Sequence, residues 1–396
     1  MKQLVMFLLV VELSCSGSFA VQAEQLERSV EAEGEYDSGR EESYYDGMEE
    51  EWKELDRFLE EELEAEGEDI RFSGVVKDLM RGHTESVGKW IITALRTVLF
   101  RETLHGSRLA GQLLALGMVG AVFTGFSDLF SGGQISETGF FLTYLMAFCV
   151  MAASFFESIA ITCEVLERQV AFMKALMPSY FLAVAWSGAS MTSAAWYEVV
   201  LLLISAVQWL YWKLLIPLIR VYVLLAMAGH MAREDMLSRM TELLKSGVAW
   251  GTRALIGVVL GFQLVQGMVL PYADAAKMTG VQKLLQVIPG VGQGAGAVSK
   301  MLLGSGVLIK NTMGAAAVVI LLILSLLPIV KLAVLVFLHR SVAAIIQPIA
   351  DKRLVACISS VAEGQKLLLM LVCSALCLFV ITIALICSGT NVSYLA

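Results

Sequence analysis

Residues 314–338 read GAAAVVILLILSLLPIVKLAVLVFL, and this run decides the fold class. It is long enough to cross the hydrocarbon core of a bilayer, which needs roughly 20 apolar residues as a helix. One proline, Pro328, and one lysine, Lys331, interrupt it. Similar runs recur on either side. The clearest are Leu109–Phe130, Thr138–Ile161, Tyr197–Gly229, Arg253–Leu270 and Lys366–Ser388. Hydropathy reasoning predicts about seven crossings for the chain. The fold class is therefore all-α: a polytopic helical membrane protein with its transmembrane domain at 109–390.

Composition agrees. Of 396 residues, 57% are apolar and 17% are charged, against about 45–50% and 25% in soluble domains. The charge is unevenly placed. Glu24–Asp69 holds 21 acidic and 4 basic residues, so the formal net charge of −8 leaves about +9 on the part from Ile70 onward. An acidic arm is joined to a basic, apolar body. This excludes a single soluble globule, and the lipid bilayer rather than nucleic acid is the expected partner of the body.

Residues 1–23 have the features of a signal peptide. Lys2 precedes the short apolar run Leu4–Val11, and Val21-Gln22-Ala23 is a plausible cleavage site. A lipoprotein signal with Cys15 as the modified residue is the rival reading. The arm, 24–69, has too few apolar residues to offset the entropy of ordering, so disorder is expected for most of it. Trp52, Leu55, Leu59 and Leu63 nevertheless recur at helical spacing. A helix docking on a partner and a solvated acidic linker both fit. Residues 70–108 are basic and amphipathic around Trp90, as in a helix lying in the membrane interface.

Farther along, the amphipathic stretch Glu164–Ala175 separates two apolar segments. Tyr197–Gly229 is too long for one untilted crossing, so a broken helix or a tight helical pair is expected. Glu234–Lys245 reads as a charged loop. Gly257 and Gly261 form a small-xxx-small pattern of the kind that lets helices approach closely. The Gly-rich stretch Pro271–Lys310 suits a re-entrant, partly non-helical segment. The basic loops after Gly229 and Leu338 are both expected on the cytoplasmic side.

Soluble-enzyme chemistry finds no footing. Gly290–Gly296 lacks the Lys-Ser/Thr ending of a phosphate loop. His83, His105, His230 and His339 are scattered over expected loops and interfaces, without metal-ligand spacing. The seven cysteines contain no Cys-x-x-Cys pair. No cofactor or metal is expected, and an intramembrane enzyme would need paired acids or histidines within the spans. The informative residues are polar ones inside apolar runs: Lys213, Pro217, Arg220, Gln263, Gln266, Lys310, Pro328 and Lys331. Buried charge in a span usually faces a bundle interior or a wet cavity. Two readings stand: these side chains line a transport path, or they are snorkelling lysines, tolerated kinks and helix contacts.

Several blocks of the body resemble the stage III sporulation protein AE family of endospore-forming bacteria. They are Leu176-Met177-Pro178 with Ser187-Gly188 and Ser193-Ala194-Ala195; Lys213 with Pro217; Ile288-Pro289-Gly290-Val291-Gly292 through Lys310-Asn311 to Gly314; Pro328 with Lys331; and Ile346-Gln347-Pro348-Ile349-Ala350-Asp351 with Arg353 and Cys357. The resemblance runs from about Val87 to Ser388, and the acidic arm lies outside it. It implies a protein of the mother-cell membrane around the engulfed forespore. There it would be a subunit of the stage III sporulation complex, a channel or feeding apparatus joined to a forespore-side partner protein. A non-conducting membrane scaffold for the other subunits is the alternative. The family implies no catalytic residue.

Overall fold

Inside lipid a segment must satisfy its own backbone N–H and C=O groups, so apolar runs of this length form helices. The computed structural model describes residues 52–53, 55–60, 72–80, 106–122, 133–187, 190–231, 237–286 and 292–389. The signal-peptide segment, most of the acidic arm and residues 81–105 lie outside them. No strand occurs among the described residues. The helices are α1 (Phe72–Met80), α2 (Gly106–Val122), α3 (Gly133–Trp186), α4 (Ser190–Leu210), α5 (Ile216–Met231), α6 (Ser238–Gln286), α7 (Gly292–Ile346) and α8 (Lys352–Gly389). A π-helical turn, Tyr211–Leu215, joins α4 to α5.

Five helical stretches are long and apolar enough to cross a membrane: Phe141–Trp186, Tyr197–His230, Ser238–Val265, Gly306–Ile346 and Lys352–Cys387. α2 is a shorter apolar helix. The expected count of seven is thus five among the described residues. One part of the difference is that residues 123–130 of the expected span Leu109–Phe130 lie outside the described residues; the other lies in α3. Helical hydrogen bonds do not depend on side-chain polarity, so the charged stretch Glu164–Ala175 continues the helix, and its flanking apolar segments merge into the 54-residue α3. Tyr197–Gly229 is likewise one continuous helical course, with the π turn as its irregularity. The expected loop Glu234–Lys245 is helical from Ser238 onward. Around the Gly-rich stretch, the chain is helical up to Gln286 and again from Gly292. Pro289 and Gly188 lie outside the described residues.

α8 is the central helix and packs against α3, α5, α6 and α7. Its contacts fix the direction of every neighbour. Gln365 bonds Ser158, and Cys387 meets Tyr180; both pairs are 207 residues apart, so α3 and α8 run parallel in constant register. α6 is also parallel to α8, through Lys245 with Glu363 and Gln263 with Thr382. α4–α5 is antiparallel, through Tyr211 with Ser374 and His230 with Ser360. So is α7, through Arg340 with Glu363 and Lys310 with Cys387. The α5–α6 and α7–α8 connections therefore lie at one end, here the base, and the α3–α4 turn at the other, the apex. This matches the expectation that the two basic loops share a side.

The turns follow from local chemistry. Ser187 closes α3, its N–H bonding the Ala183 carbonyl at 3.1 Å and its hydroxyl the Val184 carbonyl at 2.7 Å. After α7, Pro348 cannot continue a helix, and Ala350 N–H bonds back to the Ile346 carbonyl at 2.8 Å. Asp351 then caps α8, its Oδ1 accepting from the Arg353 N–H at 2.8 Å, as short acidic residues do at helix starts. Gln347 and Pro348 are exposed on this turn.

Part of the arm has a home on the chain itself. Trp52, Leu55 and Leu59 are buried. The Trp52 ring meets Phe72 edge-on at 6.4 Å, and Phe58 lies 6.4 Å from Phe172 on α3. Asp56 accepts from the Ser73 N–H and hydroxyl, at 3.1 and 2.7 Å, at the start of α1. Three of the four residues of the apolar face that the sequence offers to a partner are thus occupied internally, and Leu63 lies outside the described residues.

Close helix approach occurs at glycines other than those expected. A Cβ on Gly257 or Gly261 would meet nothing within 4 Å; both point out of the bundle. One on Gly306 would sit 2.8 Å from the Trp186 carbonyl oxygen and 2.9 Å from its carbon. Gly306→Ala is expected to lower stability in detergent by about 1–3 kcal/mol, as overpacking does, because backbone cannot rotate aside. Gly257→Ala is expected to be neutral or to stabilise by up to about 1 kcal/mol. Thermal unfolding followed by circular dichroism checks both.

Candidate functional site

Polar side chains inside the bundle meet in pairs along its axis. Near the base, the Tyr144 hydroxyl donates to the Met227 carbonyl at 2.7 Å. Gln365 Nε2 donates to the Ser158 hydroxyl at 2.9 Å, and Gln169 Nε2 to the Ser325 hydroxyl at 2.8 Å. Gln263 Nε2 donates to the Thr382 hydroxyl at 2.7 Å. The three glutamines are fully buried, and the amide oxygen of each has no hydrogen-bond partner. Sequence reasoning singled out Gln263 and missed Gln169 and Gln365, because Gln169 follows Glu167-Arg168 and Gln365 lies between Glu363 and Lys366, where a polar residue does not stand out. Gln266 lies on α6, with its side chain outside the described residues.

At the apex, Lys310 is fully buried. Its Nζ donates to the Cys387 carbonyl at 3.3 Å, and the Cys387 sulfur lies 2.7 Å from the Tyr180 hydroxyl. Gly314, one turn along α7, leaves room for both: a Cβ there would sit 2.5 Å from that sulfur and 3.1 Å from that hydroxyl. Asn311 is half-buried beside them, and its Oδ1 has no partner. The block Lys310-Asn311…Gly314 is thus one structural unit.

The other basic candidates do not join it. Lys213 sits in the π turn and is exposed, as are Pro217 and Arg220. Pro217 explains the turn: it carries no N–H for the Lys213 carbonyl, and Ile216 N–H bonds instead to the Tyr211 carbonyl, five residues back. Lys331 is half-buried, and Pro328 is buried within α7 without breaking it. Pro178 is exposed on an unbroken α3. His339, expected at an interface, is instead buried in α7, with Nδ1 against the Leu335 carbonyl. No group of His, Cys, Asp or Glu among the described residues could hold a metal.

Between the polar pairs the axis is filled. Val165, Leu332 and Val372 pack as a fully buried cluster at mid-length, with Ile161, Ile329 and Leu369 against it; Phe155, Tyr211 and Phe379 are buried as well. The described interior is a packed core, and Lys213, Arg220 and Lys331 do not converge within it. At the base, Glu363 binds Lys245, Arg340 and Lys366, linking α6, α7 and α8.

Helices of this length, packed in both parallel and antiparallel pairs with apolar surfaces and polar pairs turned inward, define a helical membrane protein. The chain belongs to the stage III sporulation protein AE family, whose model matches residues 70–390. It is 22% identical over 306 residues to stage III sporulation protein AE of Bacillus subtilis (strain 168), covering 77% of this chain and 76% of that one. No solved structure matches.

Lys310 offers a direct check of the apical unit. Lys310→Ala is expected to cost about 2–5 kcal/mol through the cavity left behind. Lys310→Met, which keeps the volume and removes a buried amine, is expected to be neutral or stabilising. Chemical denaturation in a fixed detergent separates the two.

Proposed function

We propose that the chain is an integral membrane subunit of the sporulation-specific channel or feeding complex, in the mother-cell membrane around the forespore. Family membership across all five long helices carries this reading. The chain serves as wall rather than bore. Its axis is closed by Val165, Leu332 and Val372, so solute passes between subunits, along an outer face.

The same packed axis favours a second reading, a non-conducting scaffold that recruits the other subunits. Flux through liposomes discriminates. With the complete complex, solute efflux is expected, and omitting this chain is expected to abolish it. Efflux that persists at the full rate without this chain, while the remaining subunits still assemble, would reject the wall reading. Assembly that fails only when this chain is absent, with no efflux in its presence, is the scaffold's signature.

A further inference from the structure

α8 carries no charged residue from Leu367 to Cys387, a length of about 30 Å at 1.5 Å per residue, matching the hydrocarbon core. The constant 207-residue register with α3 sets this stretch beside residues 160–180 of α3. That part of α3 carries Glu164, Glu167, Arg168 and Lys174, and Glu157 lies two turns toward the base. Glu157, Glu164, Glu167 and Lys174 are all exposed. Their spacing of seven, three and seven residues places them on one helix face.

Neighbouring helices extend the strip. Lys174 Nζ donates to Gln208 Oε1 on α4 at 3.1 Å. Arg220 on α5 is exposed, and it and Glu167 both lie within electrostatic range of Cys163. Arg168 pairs with Glu164 at 2.8 Å. The surface of α6 at comparable depth differs: Val258, Phe262, Leu264 and Val265 are 52–71% exposed, an apolar face suited to lipid.

A charge facing hydrocarbon costs several kcal/mol, and ion pairing seldom recovers the whole desolvation penalty. Long lysine and arginine stems can reach an interface; a glutamate stem cannot. Glu164 and Glu167 are therefore the decisive residues. We propose that the outer face of α3 from Glu157 to Lys174, flanked by Gln208 and Arg220, lines an aqueous path at membrane depth. Its mixed charge fits small hydrated solutes rather than ions of one sign. The inference rests on the membrane-subunit reading and names the face along which solute moves.

The test is cysteine accessibility in membranes of sporulating cells, with the full-length chain in its complex and its native cysteines replaced. Single cysteines at Glu164, Glu167 and Lys174 are expected to react with a charged, membrane-impermeant thiosulfonate at least about tenfold faster than cysteines at Val258, Phe262 and Val265, because only a hydrated thiol ionises to the reactive thiolate. Cys163, retained alone, probes the same strip without touching its charges and serves if those variants fail to accumulate. Reaction as slow as on α6 would overturn the proposal. So would slow reaction together with oxidative cross-linking between two copies through α3, which would make the strip a dry protein interface. Solute delivery to the forespore is scored separately. Intact delivery in cells lacking the chain would defeat the transport reading, whereas a dry α3 face would defeat only this one.

Discussion

Everything in the bundle is positioned relative to one pairing, the parallel alignment of α3 against α8. Two helices of 54 and 38 residues keep the same register from Ser158–Gln365 to Tyr180–Cys387. Between these ends the Val165–Leu332–Val372 cluster brings α7 into the same layer. Side-chain hydrogen bonds within membranes contribute only about 0.6 kcal/mol on average, so the polar pairs are weak as sources of stability. Their value is geometric. A glutamine amide must find its hydroxyl, and a slip of one residue would turn it toward apolar side chains or lipid.

Small residues supply the other half of the constraint. Without a hydrophobic drive between helices in lipid, association relies on close packing. Gly364 faces Val223 and Phe155 where α8 crosses α5 and α3. Gly306 rests on the backbone at the end of α3, and Gly314 makes room for Tyr180 and Cys387. The apex is therefore fixed by backbone-to-backbone contact, while the base is held by ionic contacts around Glu363. These are partly exposed pairs of the kind that individually contribute little.

Fold class was legible from the apolar runs, because lipid leaves a long apolar segment few alternatives to a helix. Helix boundaries were less so. Glu164–Ala175 looks like an interruption when polarity is taken as a boundary, yet α3 passes through it unchanged. Residue type also could not say which way a side chain points. Lys310 and Lys213 look alike in sequence, but one is fully buried and the other is turned out by the π turn that Pro217 requires. Gly257 and Gly261 have the spacing of a packing motif and face outward, whereas Gly306 stands in no such pattern. The family-like blocks map onto joints of the structure: the Ser187 cap, the Lys310–Gly314 crossing and the Asp351 cap with Pro348 before it.

Helix length has an effect of its own. α3 and α7, at 54 and 55 residues, extend about 80 Å, more than twice the depth of a bilayer's oily layer. If residues beside Leu367–Cys387 occupy that layer, α3 continues below it at the base over residues 133–159 and α7 continues beyond it at the apex from Gly292 to about Lys310, each as a rigid extension of its helix. Proteins dissolved in the adjoining compartment can then grip this chain without entering lipid. Holding the assembly together and moving material across the barrier become tasks for different lengths of the same helices.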